Sequence, residues 1–449
     1  MPHTPLAAII LAAGKGTRMK SALHKVLHKV GGKPMLSYLM ETVESLKASK
    51  TILVVGAGKE QIETAYPGSN FVMQTEQLGT GHAAKIALDA LGGFSGDVII
   101  LFGDTPFIPK HAMVDMLTSM QAKGTGIVVL GFTPQDPAKY GRLLKGPDGM
   151  LERIVEFKDA SDAERAVTLC NSGMMVLSGN HAHGWLSELK SDNAAGEYYL
   201  TDLVALARRD GMKVSVVEAA EEDVMGINSR EDLARAENAQ QNKWRKAALD
   251  AGVTMTDPST VYFSADTKIA EDVTIEPGVF FGPNVTVESG VTIKAYSHIE
   301  GTVIHAGANV GPFARLRPGA DIGENAKIGN FVEVKNADIQ KGAKVSHLSY
   351  IGDASVGAAA NIGAGTITCN YDGFLKYKTE IGAGAFVGSN SALVAPVKVG
   401  EGAIVGAGTV LTRDVEINAL GVARGKQREI KGYAVKFREE KAAEKAKKK

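Results

Sequence analysis

Between about Ile269 and Leu411 the apolar positions recur every six residues. Ile269, Ile275, Phe281, Val287, Ile293 and Ile299 open the series. One residue drops out, and it resumes at Ile304, Val310, Leu316, Ile322, Ile328 and Val334. Further slips lead to Ile339, Val345, Ile351, Val356 and Ile362 and, after a longer interruption, to Ile381, Val387, Leu393, Val399, Val405 and Leu411. A period of six fits neither a 3.6-residue helix nor a lone two-residue strand; it fits short strands joined by corners, coil stacked on coil. The 22 or 23 hexapeptides predict roughly seven to eight three-sided coils and a prism about 35 Å long at the strand spacing of ~4.8 Å. Glycine follows the apolar residue at Gly323, Gly329, Gly352, Gly363 and Gly382. A corner there would use positive φ or close backbone approach.

The first half is patterned differently. Apolar runs at 6–11, 51–55, 98–102, 127–130 and 214–217 read as strands, and 34–46 and 111–121 as helices between them. Alternation of this kind predicts an α/β layer with ligands at the carboxyl ends of strands. From Ser229 to Asp250 the pattern turns helical, with Leu233, Ala236, Gln240, Trp244 and Ala247 along one stripe and Gly252 closing it. Ser229 and Asp232 have the spacing of a capping box. The predicted division is therefore 1–228, a linker helix at 229–250, and the repeats with a solvated or frayed tail (Arg438 to Lys449) at 251–449.

Composition narrows the class. Lys plus Arg and Asp plus Glu both total 50 in 449 residues, so no basic field recommends nucleic acid or an anionic membrane. The two cysteines, Cys170 and Cys369, form no disulfide framework, which fits a reducing cytoplasm. The apolar run Leu6 to Ala13 is too short to span a membrane, and no other segment approaches that length, so no membrane insertion is expected.

Candidate chemistry lies at two places. The first strand opens onto Ala12-Ala13-Gly14-Lys15-Gly16-Thr17-Arg18-Met19, where bare backbone N–H groups can converge on an anion. It is neither a Walker loop nor the dinucleotide fingerprint. Arg18 and Lys25 are cations suited to a polyphosphate, Asp104 at a strand end suits Mg²⁺, and Gln77 to His82 is a second Gly-rich turn. The plainer readings are a strand-to-helix turn, a turn aspartate, a helix capped by Thr80 and a packed His82. In the repeats, Arg315, Arg317, Lys335, His347, Tyr350 and Asn361 break the small-and-apolar habit, as does the out-of-register run Cys369-Asn370-Tyr371-Asp372-Gly373. One histidine among cations and amides suits a general base. Against it stands a corner histidine in water, or a zinc site from His298, His305 and His347, which their different positions in the six-residue frame disfavour.

The repeats resemble the left-handed parallel β-helix of hexapeptide acyltransferases. The whole chain closely resembles the bacterial bifunctional N-acetylglucosamine-1-phosphate uridylyltransferase / glucosamine-1-phosphate N-acetyltransferase family. The marks are Leu11 to Met19 with Lys25, Gln74 to Gly81, Gly103-Asp104, Phe313 to Gly319, and above all Asn361 to Gly373. The resemblance implies an α/β nucleotidyltransferase with a Rossmann-like mixed sheet, a linker helix and a left-handed β-helix, assembled as a homotrimer. It implies uridylyl transfer from UTP to N-acetylglucosamine-1-phosphate in the first half. There Leu11, Ala12, Ala13, Gly14, Gln74, Gly79, Thr80 and Gly103 would bind the nucleotide, Arg18 and Lys25 would face its phosphates, Gly141, Glu156 and Asn171 would bind the sugar, and Asp104 and Asn228 would hold Mg²⁺. It implies acetyl transfer from acetyl-CoA to glucosamine-1-phosphate in the second half. There His347 would be the base, Arg317 and Lys335 would hold the sugar phosphate, Tyr350, Asn361, Asn370 and Tyr371 would position the reactants, and Ala364, Ser389, Ala407 and Arg424 would line the coenzyme site. The sequence departs from the family at His24, where proline is usual, and at Phe102, where tyrosine is common. The competing expectation is a single-activity sugar nucleotidyltransferase whose β-helix only oligomerises or regulates.

Overall fold

The structure is a computed structural model that describes residues 4–137 and 139–448. Lys449, the end of the expected tail, lies outside them. The chain divides into two compact units, Met1–Trp244 and Arg245–Lys449.

The first unit is built on a nine-stranded mixed sheet. Its strands are β1 (Leu6–Ala12), β2 (Lys50–Val55), β3 (Asn70–Met73), β4 (Asp97–Phe102), β5 (Thr125–Phe132), β6 (Arg142–Lys145), β7 (Leu151–Val155), β8 (Cys170–Ser178) and β9 (Lys213–Ala219). The main path runs β9-β5-β8-β4-β1-β2-β3, with β6 pairing β8 and β7. Strand β1 is central and parallel to both neighbours; Ala7, Ala8, Ile9 and Ile10 are fully buried, as expected of a strand covered on both faces. Strand β8 runs antiparallel to β4 and β5. Its first residues therefore lie at the edge where the parallel strands end, and Asn171 pairs with Gly131 there.

The helix Arg230–Asp250 begins with a reciprocal cap. Asp232 N donates to Ser229 Oγ at 3.1 Å, and Ser229 N donates to Asp232 Oδ2 at 2.9 Å. Ala236 packs with Val30, Met35 and Ile227. The expected stripe fails further on: Ala247 is exposed, whereas Gln241 and Arg245 are buried. Polar residues take that face because they find partners. Gln241 Nε2 donates to Glu237, and Arg245 Nε donates to the Val261 carbonyl at 2.9 Å.

The second unit is a parallel β-helix with three faces. One face stacks ten strands from Thr254–Met255 to Leu420–Gly421. The other two meet in one sheet because Glu333–Ile339 and Tyr350–Val356 bend across a corner and serve both. Inward-pointing Ile275, Ile293, Val310, Ile328, Val345, Ile362, Val387 and Val405 stack in register and are at most 2% exposed. Burying each contributes about 2 kcal/mol. The stack is longer than the periodicity predicts, about 43 Å for ten layers. Its end strands, Thr254–Met255 and Leu420–Gly421, lie outside the six-residue series.

The glycines after the apolar residues serve only close approach. A Cβ at Gly329 would lie 1.8 Å from Ser346 O, at Gly363 2.5 Å from Ser389 N, and at Gly382 2.5 Å from Glu401 N. Positive φ falls two residues later, at Asn325, Gly365 and Gly384. One such corner carries bulky residues instead: Tyr296, Phe313, Phe331 and Leu348 all have positive φ and are 46–61% exposed. The three rings stack at 5.3 Å centroid spacing. The tail expected to be solvated or frayed is solvated, and as far as Lys447 it is helical, Tyr433–Lys447, with no buried residue. Among the described residues no helix is long and apolar enough to cross a membrane.

Candidate active sites

In the first unit a cleft of about 280 Å³ opens at the carboxyl ends of β1, β3 and β4. Leu11 to Gly14, Lys25, Gln74, Gly79, Thr80 and Asp104 line it, joined by Gln77 and Glu197, which sequence reasoning does not single out as site residues. Buried Gln74 donates Nε2 to Gly79 O at 3.1 Å, and Gln77 donates Nε2 to Ala13 O at 2.7 Å, tying the two Gly-rich turns together. Two glutamines spaced three apart are the available signal for Gln77.

Gly79, not Thr80, is the N-cap of the helix Thr80–Ala90; no side chain caps it. Its φ is 107°, and a Cβ there would lie 2.6 Å from Tyr198 O, so the position has room only for glycine. Thr80 Oγ1 instead accepts from Leu200 N at 3.2 Å. His82 is partly buried, with Nδ1 3.0 Å from Glu76 O.

Lys25 Nζ lies 2.5 Å from Asp104 Oδ2 and 3.1 Å from Asn228 Oδ1. The Ile227 N to Asp104 O hydrogen bond, 2.8 Å, holds the two oxygen donors together. A carboxylate and an amide oxygen converging on one cationic point fit the protein share of a hard divalent ion whose other ligands are phosphate and water. Among the described residues no cluster of three or more His, Cys, Asp or Glu could hold a metal.

Arg18 does not line this cleft; it is exposed on the short turn Thr17–Met19. Gly103 supports the cleft from behind, its N–H donating to Leu11 O at 3.0 Å. Gly141, Glu156 and Asn171 form a separate group. Asn171 N donates to Gly141 O at 2.9 Å, and a Cβ on Gly141 would sit 3.5 Å from both Glu156 carboxylate oxygens. Burial, then the carboxylates of Asp159 and Asp202, push the Glu156 carboxyl up. The Phe102 ring packs on Gly173, whose φ is 92°.

In the second unit the strands place successive coils in line. His347 is exposed and paired in register with Asn330, and its Nδ1 lies 2.7 Å from Asn330 Oδ1. An amide oxygen only accepts, so Nδ1 carries the proton and Nε2 keeps its lone pair for another partner. Sequence reasoning misses Asn330, although it stands one coil before His347.

Arg317 Nη1 donates to Glu333 Oε1 at 2.8 Å. Lys335 Nζ is 3.7 Å from Asp353 Oδ2, and Asn336 and Asn370 both donate to the same carboxylate. Burial opposes ionisation of Asp353, but those hydrogen bonds and Lys335 outweigh it and hold the carboxyl below its ordinary range. Asp353 is thus the knot that gathers Lys335 and Asn370. Tyr350 pairs with Glu333 across the face, and its hydroxyl lies over Gly352. Tyr371 is 59% exposed, its hydroxyl donating to Gly373 O at 2.5 Å. Asn361 pairs in register with Lys344 on the face of His347.

Ala364, Ser389, Ala407 and Arg424 climb one corner beyond His347. Gly365 N donates to His347 O at 3.3 Å, Asn390 N to Ala364 O and Gly408 N to Ser389 O, both at 2.8 Å, and Arg424 Nη1 to Ala407 O at 2.7 Å.

The three histidines do not converge. His298 stacks on Phe280 at 4.9 Å, and His305 lies between Glu288 (3.1 Å) and Asp321 (2.8 Å), while His347 turns to Asn330. The two free cysteines, Cys170 and Cys369, are respectively buried and partly buried.

A cleft walled by two Gly-rich turns at strand ends, followed by a β-helix with a histidine on its corner, is the arrangement of a two-domain transferase. Residues 8–175 match the family described as MobA-like NTP transferase domain, and residues 301–336 and 378–413 match the bacterial transferase hexapeptide (six repeats). The chain is 54% identical over 449 residues to the "Bifunctional protein GlmU" of Paramagnetospirillum magneticum, covering all of both chains. It is 53% identical to that of Sphingopyxis alaskensis (99% of this chain, 100% of the relative) and 48% to that of Zymomonas mobilis (98% and 99%). The chain belongs to the GlmU family, and the fold is that of an α/β nucleotidyltransferase followed by a left-handed parallel β-helix; it is a bifunctional transferase.

Proposed function

We propose that the second unit acetylates glucosamine-1-phosphate from acetyl-CoA and that the first then joins N-acetylglucosamine-1-phosphate to UTP, releasing pyrophosphate and UDP-N-acetylglucosamine. The observation that carries the acetyl-transfer half is the line from His347 to Arg424. Four coil steps along one corner amount to about 19 Å. That length accommodates an extended pantetheine arm, with the thioester at His347 and the nucleotide end at Arg424, past Ala364, Ser389 and Ala407. His347 Nε2 takes the proton from the attacking amine, while Asn330 fixes the ring. Arg317 and Lys335 neutralise the sugar phosphate; Tyr350, Asn361, Asn370 and Tyr371 position the sugar and the acetyl group.

In the first unit the turn from Leu11 to Gly14, with Gln74, Gly79, Thr80 and Gly103, seats the uridine nucleotide. Gly141, Glu156 and Asn171 take the sugar. The reaction is carried by alignment of the sugar phosphate with the α-phosphorus and by charge neutralisation, with Lys25 at the triphosphate and Arg18 closing from its exposed turn. Mg²⁺, when bound, would supply electrophilic charge to the phosphates, with Asp104 and Asn228 as its protein ligands. We further propose a homotrimer in which the exposed corner of His347 meets a second copy. The support is the adjacent ladder of Tyr296, Phe313, Phe331 and Leu348, an apolar edge facing solvent in the single chain. A cytoplasmic location follows from soluble substrates.

The test is a pair of assays on one preparation. Coenzyme A must be released on mixing acetyl-CoA with glucosamine-1-phosphate, and pyrophosphate on mixing UTP with N-acetylglucosamine-1-phosphate. Failure of the first alone would reduce the β-helix to a scaffold.

A further inference from the structure

His24 precedes the lysine at the heart of the nucleotide cleft, and uridylyl transfer as described above makes no use of it. It is 6% exposed. Neither ring nitrogen has a hydrogen-bond partner among the described residues, and both are out of contact with solvent. Its backbone is nonetheless firmly held. His24 N donates to Gln61 Oε1 at 2.8 Å, and Gln61 Nε2 donates to Ala22 O at 2.9 Å, so one glutamine ties this stretch to the helix Lys59–Ala65. His24 then acts as N-cap residue of the turn Lys25–Leu27, which delivers Lys25 Nζ to Asp104 and Asn228. Gly16 leans on the same turn; a Cβ there would lie 2.7 Å from Lys25 Cβ.

We propose that His24 is a positioning residue for uridylyl transfer: as a buried neutral ring it seats the turn that presents Lys25, and its protonation unseats that turn, silencing the nucleotide site on acidification. The inference rests on the role given to Lys25 above. The physical basis is hydrogen-bond chemistry. A neutral imidazole without partners leaves one donor and one acceptor unmet; an imidazolium there carries a full charge and two donors with nothing to receive them, which costs far more. The charged groups around it make matters worse, since Lys25 follows it and His28, the nearby imidazole, lies 3.3 Å from Arg230 Nη1. Burial, then Lys25, then His28, lower the affinity of His24 for a proton.

With the turn released, the ring titrates near its ordinary value of 6.5; with the turn seated, it titrates lower. Above 6.5 both states are neutral and the seated turn is at full strength. As pH falls below 6.5 the released state gains the proton first, so the seated state weakens until the lowered value is reached.

The experiment measures kcat/KM for UTP between pH 5.5 and 8 in the full-length enzyme, H24Q and H24L, each normalised to its own value at pH 8, beside acetyl transfer by the same preparations and K25A as a reference. The expected result is an acid loss larger in the wild type than in either variant, by up to about tenfold at pH 5.5, with acetyl transfer of the variants equal to wild type at each pH. Superimposable profiles in the three proteins would overturn the proposal while leaving Lys25 in its role. Loss of acetyl transfer in both variants would mean a global fold defect and would overturn a local seat. Full uridylyl transfer by K25A would remove the Lys25 reading itself, and this inference with it.

Discussion

The two units solve the problem of a site in opposite ways. In the first, the groups are withdrawn: the Lys25 and Asp104 side chains are 11% and 18% exposed, and backbone from two Gly-rich turns forms the wall. In the second, His347 stands on an open corner, and its helpers arrive one per coil. A doubly wound sheet gathers distant chain segments at one edge, so its site is concave within a single chain. A solenoid lays its groups along a line on an open face, and in the proposed trimer a second copy would supply the facing wall.

That contrast can be broken most sharply by exchanging losses. His347→Ala is expected to lower acetyl transfer by about 10³-fold, within the usual range for a general base, with uridylyl transfer unchanged. Asp104→Ala is expected to lower uridylyl transfer by about 10²-fold with acetyl transfer unchanged, as expected for loss of charge stabilisation. Either substitution silencing both activities in folded protein would abolish the distinction. Asn330→Ala sharpens it: the ring stays but its tautomer is unconstrained, and acetyl transfer should drop about tenfold with a changed pH profile.

The smallest effect concerns the β-helix alone. His305 is bracketed by Glu288 and Asp321. Burial works against its charge, but the hydrogen bond and charge of Glu288 together with Asp321 outweigh it and raise its proton affinity. Its contribution is present below pH 6.5 and lost as pH rises through the elevated value. With the ring about one-third exposed, His305→Gln should cost about 0.5 kcal/mol at pH 5.5 and nearly nothing at pH 9 by denaturant titration. An equal loss at both values would refute the charged clamp.

Much of this is legible in the sequence because periodicity is a direct imprint of burial. The six-residue series locates the inward column from Ile275 to Val405, and the strand-to-turn pattern locates the cleft. The central strand β8 is not legible. Gly173, with its positive φ and the register shift between Asn171 and Met175, interrupts the apolar run. Asn330 and Asp353 escape notice because their roles lie one coil from the residues they hold, a neighbourhood invisible in linear order. The buried Gln241 and Arg245 escape it because partnered polar groups leave no apolar signature.

The corner from His347 to Arg424 behaves like a ladder whose rungs cannot be fractional. Its reach can change only by whole coils, about 4.8 Å at a time. In the proposed coenzyme site an acyl carrier would therefore be gauged by rung count, and a variant carrying one extra coil between Ser389 and Arg424 should misplace the nucleotide end of its donor while leaving the imidazole and the proposed sugar seat untouched. A truncated donor lacking that end would be used equally well by both forms.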